Sequence, residues 1–243
     1  MNDFSQIYNI VIVGVGGQGT ILASKVLAQA ALNMGAFVRS AETIGMAQRG
    51  GSVLGHIRIA KDSNKLHSPL VPLGGAHLIL GFEPAEAVRA TTFANAHSTI
   101  ICSDMAVPAT NSSLSKNSTK AKSATGAGTS GVNAASALTN IDARDKGIYN
   151  GKAELDWLYN LAANNELKQV IVISSDELIA QTGSAKCQNI ALIGAATALG
   201  LFSADIVEAT IKSLVKPQFL QMNMLAFKYG IEQCRKMTQG VTD

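Results

Sequence analysis

A short apolar segment that runs directly into a glycine-rich loop constrains the fold of this 243-residue chain more than any other feature. Residues 9–13 are rich in β-branched side chains, which is typical of a strand buried on both faces of a parallel sheet. The loop at residues 14–20 follows, and apolar residues then recur at helical spacing up to Ala30. A second strand is indicated at residues 36–40. The pattern predicts a strand–loop–helix–strand unit with a right-handed crossover.

The same alternation of strands and helices continues along the chain. Four further strands are predicted, and the first of them alternates apolar and polar residues, which favours an antiparallel strand with one wet face. They lie at residues 52–59, 77–81, 99–102 and 169–174. Helices are predicted at residues 84–94, 155–161, 189–201 and 205–215, and from Pro217 onward. The fold class is therefore α/β: a Rossmann-like, open, twisted and mostly parallel sheet, helices on both faces, and a helical C-terminal tail.

One stretch departs from this organisation. No acidic residue occurs between Asp104 and Asp142, and residues 110–140 are mostly Ser, Thr, Asn, Ala and Gly. Such a segment buries too little apolar surface to offset its ordering entropy. We therefore interpret the chain as one domain, residues 1–243, that carries a low-complexity insertion at residues 108–151.

Composition excludes several classes of function. A net charge of +3 and an aromatic content of 5% argue against nucleic-acid binding. The three cysteines lie far apart and form no Cys-x-x-Cys pair, and the histidines have no metal-site spacing, so neither a metal site, an iron–sulfur cluster nor a disulfide framework is expected. No signal peptide and no membrane-spanning run is visible, which predicts a cytoplasmic protein that does not enter the membrane.

The glycine loop is the first candidate binding site. Gly14, Gly16 and Gly19 fit the Gly-x-Gly-x-x-Gly pattern between a strand and a helix. Glycines let a phosphate approach the backbone, and the helix N-terminus offers free N–H groups, so a dinucleotide or coenzyme A is the expected ligand. A Walker A loop is excluded because Thr20 stands where its lysine must be. A tight turn without a ligand remains an alternative.

Two more features bear on the ligand. Glu42 follows the second strand, where an acidic residue would take the ribose hydroxyls of NAD. The run Arg49-Gly50-Gly51-Ser52 places a planar, permanently charged donor in a backbone that bends sharply, which suits a phosphate or carboxylate. It follows the second strand, at the sheet edge where ligands collect in open α/β sheets.

Three segments together carry a family resemblance: residues 14–20, residues 45–53 and residues 82–87. The chain resembles the gamma-type subunit or domain of 2-oxoacid:ferredoxin oxidoreductases, and within that family it is most similar to the beta subunits of indolepyruvate ferredoxin oxidoreductases. The run Gly-Met-Ala-Gln-Arg-Gly-Gly at residues 45–51 is the most specific of the three. The resemblance covers nearly the whole chain outside the insertion.

The resemblance implies a subunit of an enzyme that oxidatively decarboxylates a 2-oxoacid, with coenzyme A as acyl acceptor and ferredoxin as electron acceptor. Thiamine diphosphate and the iron–sulfur clusters would belong to a larger partner subunit, and this chain alone would be inactive and contribute no catalytic residue. Coenzyme A would be held by the glycine loop, and Thr20 would cap the helix and donate its hydroxyl. Arg49 and Ser52 would face the acyl group or the partner. The loop residues concerned are Gly14, Gly16, Gly17, Gln18 and Gly19.

One departure from the family pattern concerns Ile44, which stands where the family usually has His. The insertion is also longer and richer in Ser and Thr than expected for the family. Two other classes stay open. One is a stand-alone NAD- or FAD-dependent oxidoreductase, based on Glu42 and the glycine loop. The other is a ligand-free interaction subunit whose glycine loops shape only a protein interface.

Overall fold

The computed structural model describes residues 4–44, 51–107 and 149–239. Within these ranges six strands form one mixed sheet with the order β2-β3-β1-β4-β5-β6. The central strands β1, β4 and β5 are buried along almost their whole length, as the continuous apolar runs predict. The strands are β1 (Tyr8–Val15), β2 (Phe37–Ile44), β3 (Ser52–Ala60), β4 (Leu78–Gly81), β5 (Thr99–Ser103) and β6 (Gln169–Ile173).

Strand β3 runs against the other five. It pairs antiparallel with β1, where Ser52 lies opposite Val15, and with β2, where Val53 lies opposite Ile44. Strands β4, β5 and β6 extend the sheet from β1 in parallel. The beginning of β3 therefore meets the ends of the five other strands at one edge of the sheet, which we call the carboxyl edge.

Helices cover both faces of the sheet. Alternate residues of β1 point to opposite sides, so that Ile10 and Ile12 join one core cluster while Val11 and Val13 join the other. The first cluster takes residues from α1 and α4–α7, and the second from α2 and α3. The helices of the described ranges are α1 (Thr20–Asn33), α2 (Pro84–Arg89), α3 (Lys152–Ala163), α4 (Ser175–Thr182), α5 (Gln188–Ala198), α6 (Ala204–Leu214) and α7 (Pro217–Gln239).

The helices α5 and α7 pack directly on each other. A Cβ atom added to Gly194 would lie 2.2 Å from the carbonyl oxygen of Phe227, and one added to Gly230 would lie 1.9 Å from that of Ala191. Both distances are far below any van der Waals contact. The glycines thus allow the two backbones to touch, which confirms the predicted close packing of α5 through small residues.

The α/β fold class is confirmed, but two predicted helices end earlier than expected. The helix predicted at residues 189–201 ends at Ala198. The helix predicted at residues 84–94 ends at Arg89, and a 3₁₀ turn continues over Ala90–Phe93. Thr91 explains the change, because a β-branched residue disfavours the helix interior and its hydroxyl donates to the carbonyl of Val88 at 2.7 Å. Most of the predicted insertion, residues 108–148, lies outside the described residues. No described helix is long and apolar enough to cross a membrane.

Candidate functional site

The loop after β1 leaves no room for side chains on its inner side and is open on its outer side. A Cβ on Gly14 would lie 2.7 Å from Oε1 of Gln18 and 2.8 Å from Cβ of Phe82. Gly17 adopts a left-handed φ of +103°, and a Cβ there would meet no atom within 4 Å. The first glycine allows the loop to pack on the sheet edge, and the second turns the chain beside open space.

Gln18 holds the loop in this shape. Its Oε1 accepts from the backbone N–H of Val15 at 2.8 Å, and its Nε2 donates to the carbonyl of Phe82 at 3.1 Å. The turn is closed by the N–H of Gln18, which donates to the carbonyl of Val15 at 3.2 Å. Gln18 therefore fastens the loop to the residue that follows β4, and its part in ligand binding stays a prediction.

The two predicted loops meet at the carboxyl edge. The N–H of Gly16 donates to the carbonyl of Gly51 at 2.9 Å. Because Gly51 precedes β3, the antiparallel direction of that strand brings the second loop beside the first. The structure thus places Gly16, Gly51 and Ser52 together, while Arg49 and Gly50 lie outside the described residues.

The first turn of α1 is open at its N-terminus. Gly19 occupies the N-cap position, and no side chain caps the turn. The expectation that Thr20 caps the helix is wrong, because Thr20 is already the first helical residue and its side chain is buried. The uncapped backbone N–H groups and the positive end of the helix dipole together suit an anionic group.

The first turn of α2 carries two buried glutamates. Glu83 is the N-cap, and its Oε2 accepts from the N–H of Glu86 at 3.0 Å. Glu86, only 3% exposed, accepts from the hydroxyl of Ser52 at 2.6 Å through Oε2 and pairs with Arg89 through Oε1. The interpretation of both glutamates as helix-start charges is confirmed. Glu86 also ties the beginning of β3 to α2.

Tyr149 adds a third chain segment to this turn. Its hydroxyl donates to Oε1 of Glu83 and accepts from the N–H of Ala85 at 3.1 Å. Burial raises the pKa of Glu83, and the hydroxyl of Tyr149 and the N–H of Glu86 partly oppose the shift. The pKa of Tyr149 is also raised, first by burial and then by the bond to Glu83. Tyr149, which belongs to the predicted insertion, is thus hydrogen-bonded to the first turn of α2.

The N-terminus of α5 reaches the same edge from the other face of the sheet. Gln188, which is buried, donates to the carbonyl of Phe82 at 2.7 Å. A Cβ on Gly19 would lie 2.6 Å from Nδ2 of Asn189. The beginnings of α1, α2 and α5 therefore converge on the segment that follows β4.

Sequence comparisons identify the family to which the chain belongs. The family model for pyruvate ferredoxin/flavodoxin oxidoreductases matches residues 9–233, which include both loops, α2 and α5. The chain belongs to this family. An indolepyruvate oxidoreductase subunit IorB from Archaeoglobus fulgidus is 32% identical over 231 residues, covering 93% of this chain and 94% of the relative. The predicted family resemblance is confirmed.

Solved structures share the fold of this member of the pyruvate ferredoxin/flavodoxin oxidoreductase family. The gamma subunit of a keto/oxoacid ferredoxin oxidoreductase from Geobacter sulfurreducens has a TM-score of 0.57 and 17% identity, covering 94% of this chain and 99% of that one. A 2-oxoglutarate:ferredoxin oxidoreductase from Magnetococcus marinus, with 2-oxoglutarate, coenzyme A and succinyl-CoA bound, has a TM-score of 0.56 and 14% identity. That match covers 95% of this chain and 31% of the other.

Glu42 does not join the other candidates. It lies on β2 opposite Gly55 of β3, and its side chain is exposed. Since β3 is inserted between β1 and β2, the strand of Glu42 is two strand spacings, roughly 10 Å, from β1. The role of Glu42 toward a ribose stays a prediction.

The cysteines of this family member are buried in the protein interior. Cys102, Cys187 and Cys234 are free thiols, and burial raises the pKa of each. A cluster ligand must be a thiolate, which these surroundings disfavour. In the three described ranges no three His, Cys, Asp or Glu side chains are placed to hold a metal ion.

Sequence reasoning missed Tyr149 and Gln188. Tyr149 is the only aromatic residue between Cys102 and Trp157, and a lone aromatic at the end of a polar stretch is a usable signal for an anchor. Gln188 is the first residue of α5, a buried helix in which only Asn189 and Thr197 are otherwise polar. A polar side chain at the first position of a buried helix indicates a specific hydrogen bond, because it would be costly to bury unpaired.

Proposed function

We propose that this chain is the accessory subunit of a 2-oxoacid:ferredoxin oxidoreductase and that its glycine loop binds coenzyme A. The supporting observation is the preformed loop at the carboxyl edge, which is joined to the second loop through Gly16 and Gly51 and lies against the uncapped start of α1. Membership of the family supports the accessory-subunit role.

The loop fits the phosphate groups of coenzyme A. A phosphate can approach Gly17 without meeting a side chain, since a Cβ there would have no neighbour within 4 Å. The N–H groups of the first turn of α1 then face the anion. Gly51 and Ser52 lie beside this loop, and Arg49, which closely precedes them in the sequence, would supply a guanidinium donor to a phosphate or to the acyl group.

The substrate we propose is an aryl pyruvate such as indolepyruvate. The relative from Archaeoglobus fulgidus is named an indolepyruvate oxidoreductase subunit, and it matches this chain over nearly its full length. In the reaction, the bond between the carboxylate and the carbonyl carbon breaks and CO₂ leaves. The acyl group replaces the thiol proton of coenzyme A to form a thioester, that proton is released, and two electrons pass to ferredoxin. This chain would hold the coenzyme A in place while the acyl group is transferred.

Thiamine diphosphate and the iron–sulfur clusters would lie on a larger partner subunit. The residues of this chain do not fit a cluster, because the three thiols are buried and their raised pKa values disfavour thiolates. The division of labour leaves binding and orientation of coenzyme A to the glycine loop. We propose the cytoplasm as the site of the assembled enzyme.

The partner is tested by purifying the chain at native expression from its own cells. A co-purifying larger protein with thiamine diphosphate and iron–sulfur absorbance is expected. A lone, colourless chain would contradict the accessory-subunit role.

The ligand is tested by calorimetric titration of the purified chain with coenzyme A and, separately, with NAD. Gly17→Ala is expected to weaken coenzyme A binding about tenfold or more, which corresponds to about 1.4 kcal/mol. The control is Gly35→Ala, because Gly35 also has a left-handed φ of +78° and no neighbour within 4 Å but lies beyond the far end of α1. Equal binding by both variants, or binding of NAD instead, would contradict the coenzyme A proposal.

A further inference from the structure

The end of the second loop is held by a chain of hydrogen bonds that begins on α2. Arg89 pairs with one oxygen of Glu86, and the other oxygen accepts from the hydroxyl of Ser52 at 2.6 Å. Ser52 follows Gly51, whose carbonyl accepts from the N–H of Gly16 at 2.9 Å. A continuous path therefore leads from α2 to the glycine loop.

The two charged residues of this path differ in their exposure to solvent. The Glu86 side chain is 4% exposed, whereas that of Arg89 is 53% exposed. Charge-assisted hydrogen bonds to a carboxylate are stronger than bonds between neutral groups, and a buried carboxylate holds its donors in narrow geometry. The hydroxyl of Ser52 is thus bound to a fixed point on α2.

The start of α2 is itself fastened on other sides. Glu83 caps the N–H of Glu86 and is bonded to Tyr149. The carbonyl of Phe82, directly before this turn, accepts from Gln18 and Gln188. Because the turn is held by several chain segments, Glu86 is a rigid support for whatever it contacts.

We propose that Glu86 is a positioning residue: through Ser52 it holds the carbonyl of Gly51 against Gly16 and keeps the glycine loop in the shape that receives its ligand. Glu86 itself does not touch the ligand. The inference rests on the proposed function where the ligand is coenzyme A, but its structural part concerns the bond between Gly16 and Gly51 alone.

The structural part is tested by amide hydrogen exchange in the purified full-length chain. Ser52→Ala removes the hydroxyl, Ser52→Thr keeps it, and Glu86→Gln removes the charge. The Gly16 amide is expected to exchange about tenfold faster in Ser52→Ala and Glu86→Gln and at the wild-type rate in Ser52→Thr. Unchanged exchange in both of the first two variants would overturn the inference, whatever the chain binds.

The functional part is tested by calorimetric titration of the same variants with coenzyme A. The expected result is a loss of affinity in Ser52→Ala and in Glu86→Gln that is no larger in the double variant, with recovery in Ser52→Thr. Additive losses, or a loss in Ser52→Ala alone, would overturn the inference by showing that Ser52 acts on the ligand directly. If the wild-type chain binds no coenzyme A, the proposed function fails and the exchange rates still decide the inference.

A matched control is Glu208→Gln on α6. Glu208 is also a helical glutamate paired with a cation, since Lys212 lies 2.7 Å from its Oε1, but its side chain is 36% exposed and it lies outside the path from α2 to Gly16. This variant should change neither the exchange of the Gly16 amide nor the affinity for coenzyme A. A change of the same size as in Glu86→Gln would overturn the inference by showing that any lost helical charge suffices.

Discussion

Glycines in two regions of the molecule face very different surroundings. In the α5–α7 helix pair, a Cβ on Gly194 or Gly230 would collide with the backbone of the opposite helix. In the loop after β1, a Cβ on Gly17 would meet nothing within 4 Å, and only its φ of +103° disfavours a side chain. The first region uses glycine to bring backbones together, and the second uses it to turn the chain beside free space. Substitutions in the helix pair should therefore lower the free energy of unfolding, whereas those in the loop should lower the affinity for the ligand.

The largest effect is expected from Gly230→Ala. Its Cβ would lie 1.9 Å from the carbonyl oxygen of Ala191, and neither backbone can move without disturbing a buried helix. Overpacking of this kind costs about 1–3 kcal/mol and sometimes more, which for a chain of this size lowers the melting temperature by roughly 2–12 °C. Calorimetry measures the change.

The control for that experiment is Gly200→Ala. Gly200 lies just after α5 with a left-handed φ of +78°, but a Cβ there would have no neighbour within 4 Å. It should cost only the strain of the backbone conformation, about 1 kcal/mol. A Gly230→Ala variant that melts no lower than Gly200→Ala would show that the helix pair tolerates separation.

Gly14→Ala should affect stability and binding together, since this glycine belongs to the loop but is packed like one of the helix pair. The new methyl group would meet Oε1 of Gln18 at 2.7 Å and Cβ of Phe82 at 2.8 Å. Displacing Gln18 would also break its bond to the N–H of Val15. We expect a loss of roughly 1–2 kcal/mol in stability and at least about tenfold in affinity for coenzyme A. A stability loss with unchanged affinity would place Gly14 with the helix pair.

Gln188→Met tests whether the α5–α7 helix pair and the loop after β1 are energetically coupled. Gln188 begins α5 and donates to the carbonyl of Phe82, which also accepts from Gln18 of the loop. Methionine keeps the volume and removes one hydrogen bond, so the free energy of unfolding should fall by about 1 kcal/mol. Denaturant unfolding measures this loss, and the affinity for coenzyme A should stay within about twofold, since Gln18 still holds the carbonyl. A large loss of affinity would show that the loop depends on α5.

The smallest effect concerns the protonation of Glu83 beside the loop. Because the pKa of folded Glu83 lies above its unfolded value, this group favours folding most below the unfolded pKa, and the contribution is lost as the pH rises through the folded pKa. Tyr149→Phe removes a hydrogen bond that stabilises the carboxylate, so the pKa of Glu83 should rise further. Carbon-detected NMR titration of Glu83 measures the change. A lower pKa in the variant would contradict the assigned contact.

Much of the sheet could be predicted because its signals are local. The continuous apolar runs of β1, β4 and β5 and the alternation of β3 identify these strands within a few residues of their observed bounds. The glycine pattern correctly locates the turn between β1 and α1. The small residues of α5 correctly indicate close helix packing, since only glycine and alanine let two helix backbones touch.

The order of the strands and the supports of the site were not predictable from these signals. The insertion of β3 between β1 and β2 depends on pairing between distant segments, and it separates Glu42 from the loop after β1. Gln18 fits a ligand contact by its place in the loop, but its side chain turns back to Val15 and Phe82. Contacts of Ser52 with Glu86 and of Tyr149 with Glu83 join residues far apart in the chain, for which periodicity carries no information.

The reversed direction of β3 has a consequence for the connection between β2 and β3. The connection from β2 to β3 leaves and re-enters the sheet at the same edge, and the ladder fixes both of its ends, with Ile44 opposite Val53 and Val15 opposite Ser52. Changes in length or composition inside residues 45–50 therefore leave the strand register intact, because loop length adds little to the free energy of closure. The sequence of this connection can therefore vary while the strand order and register stay the same.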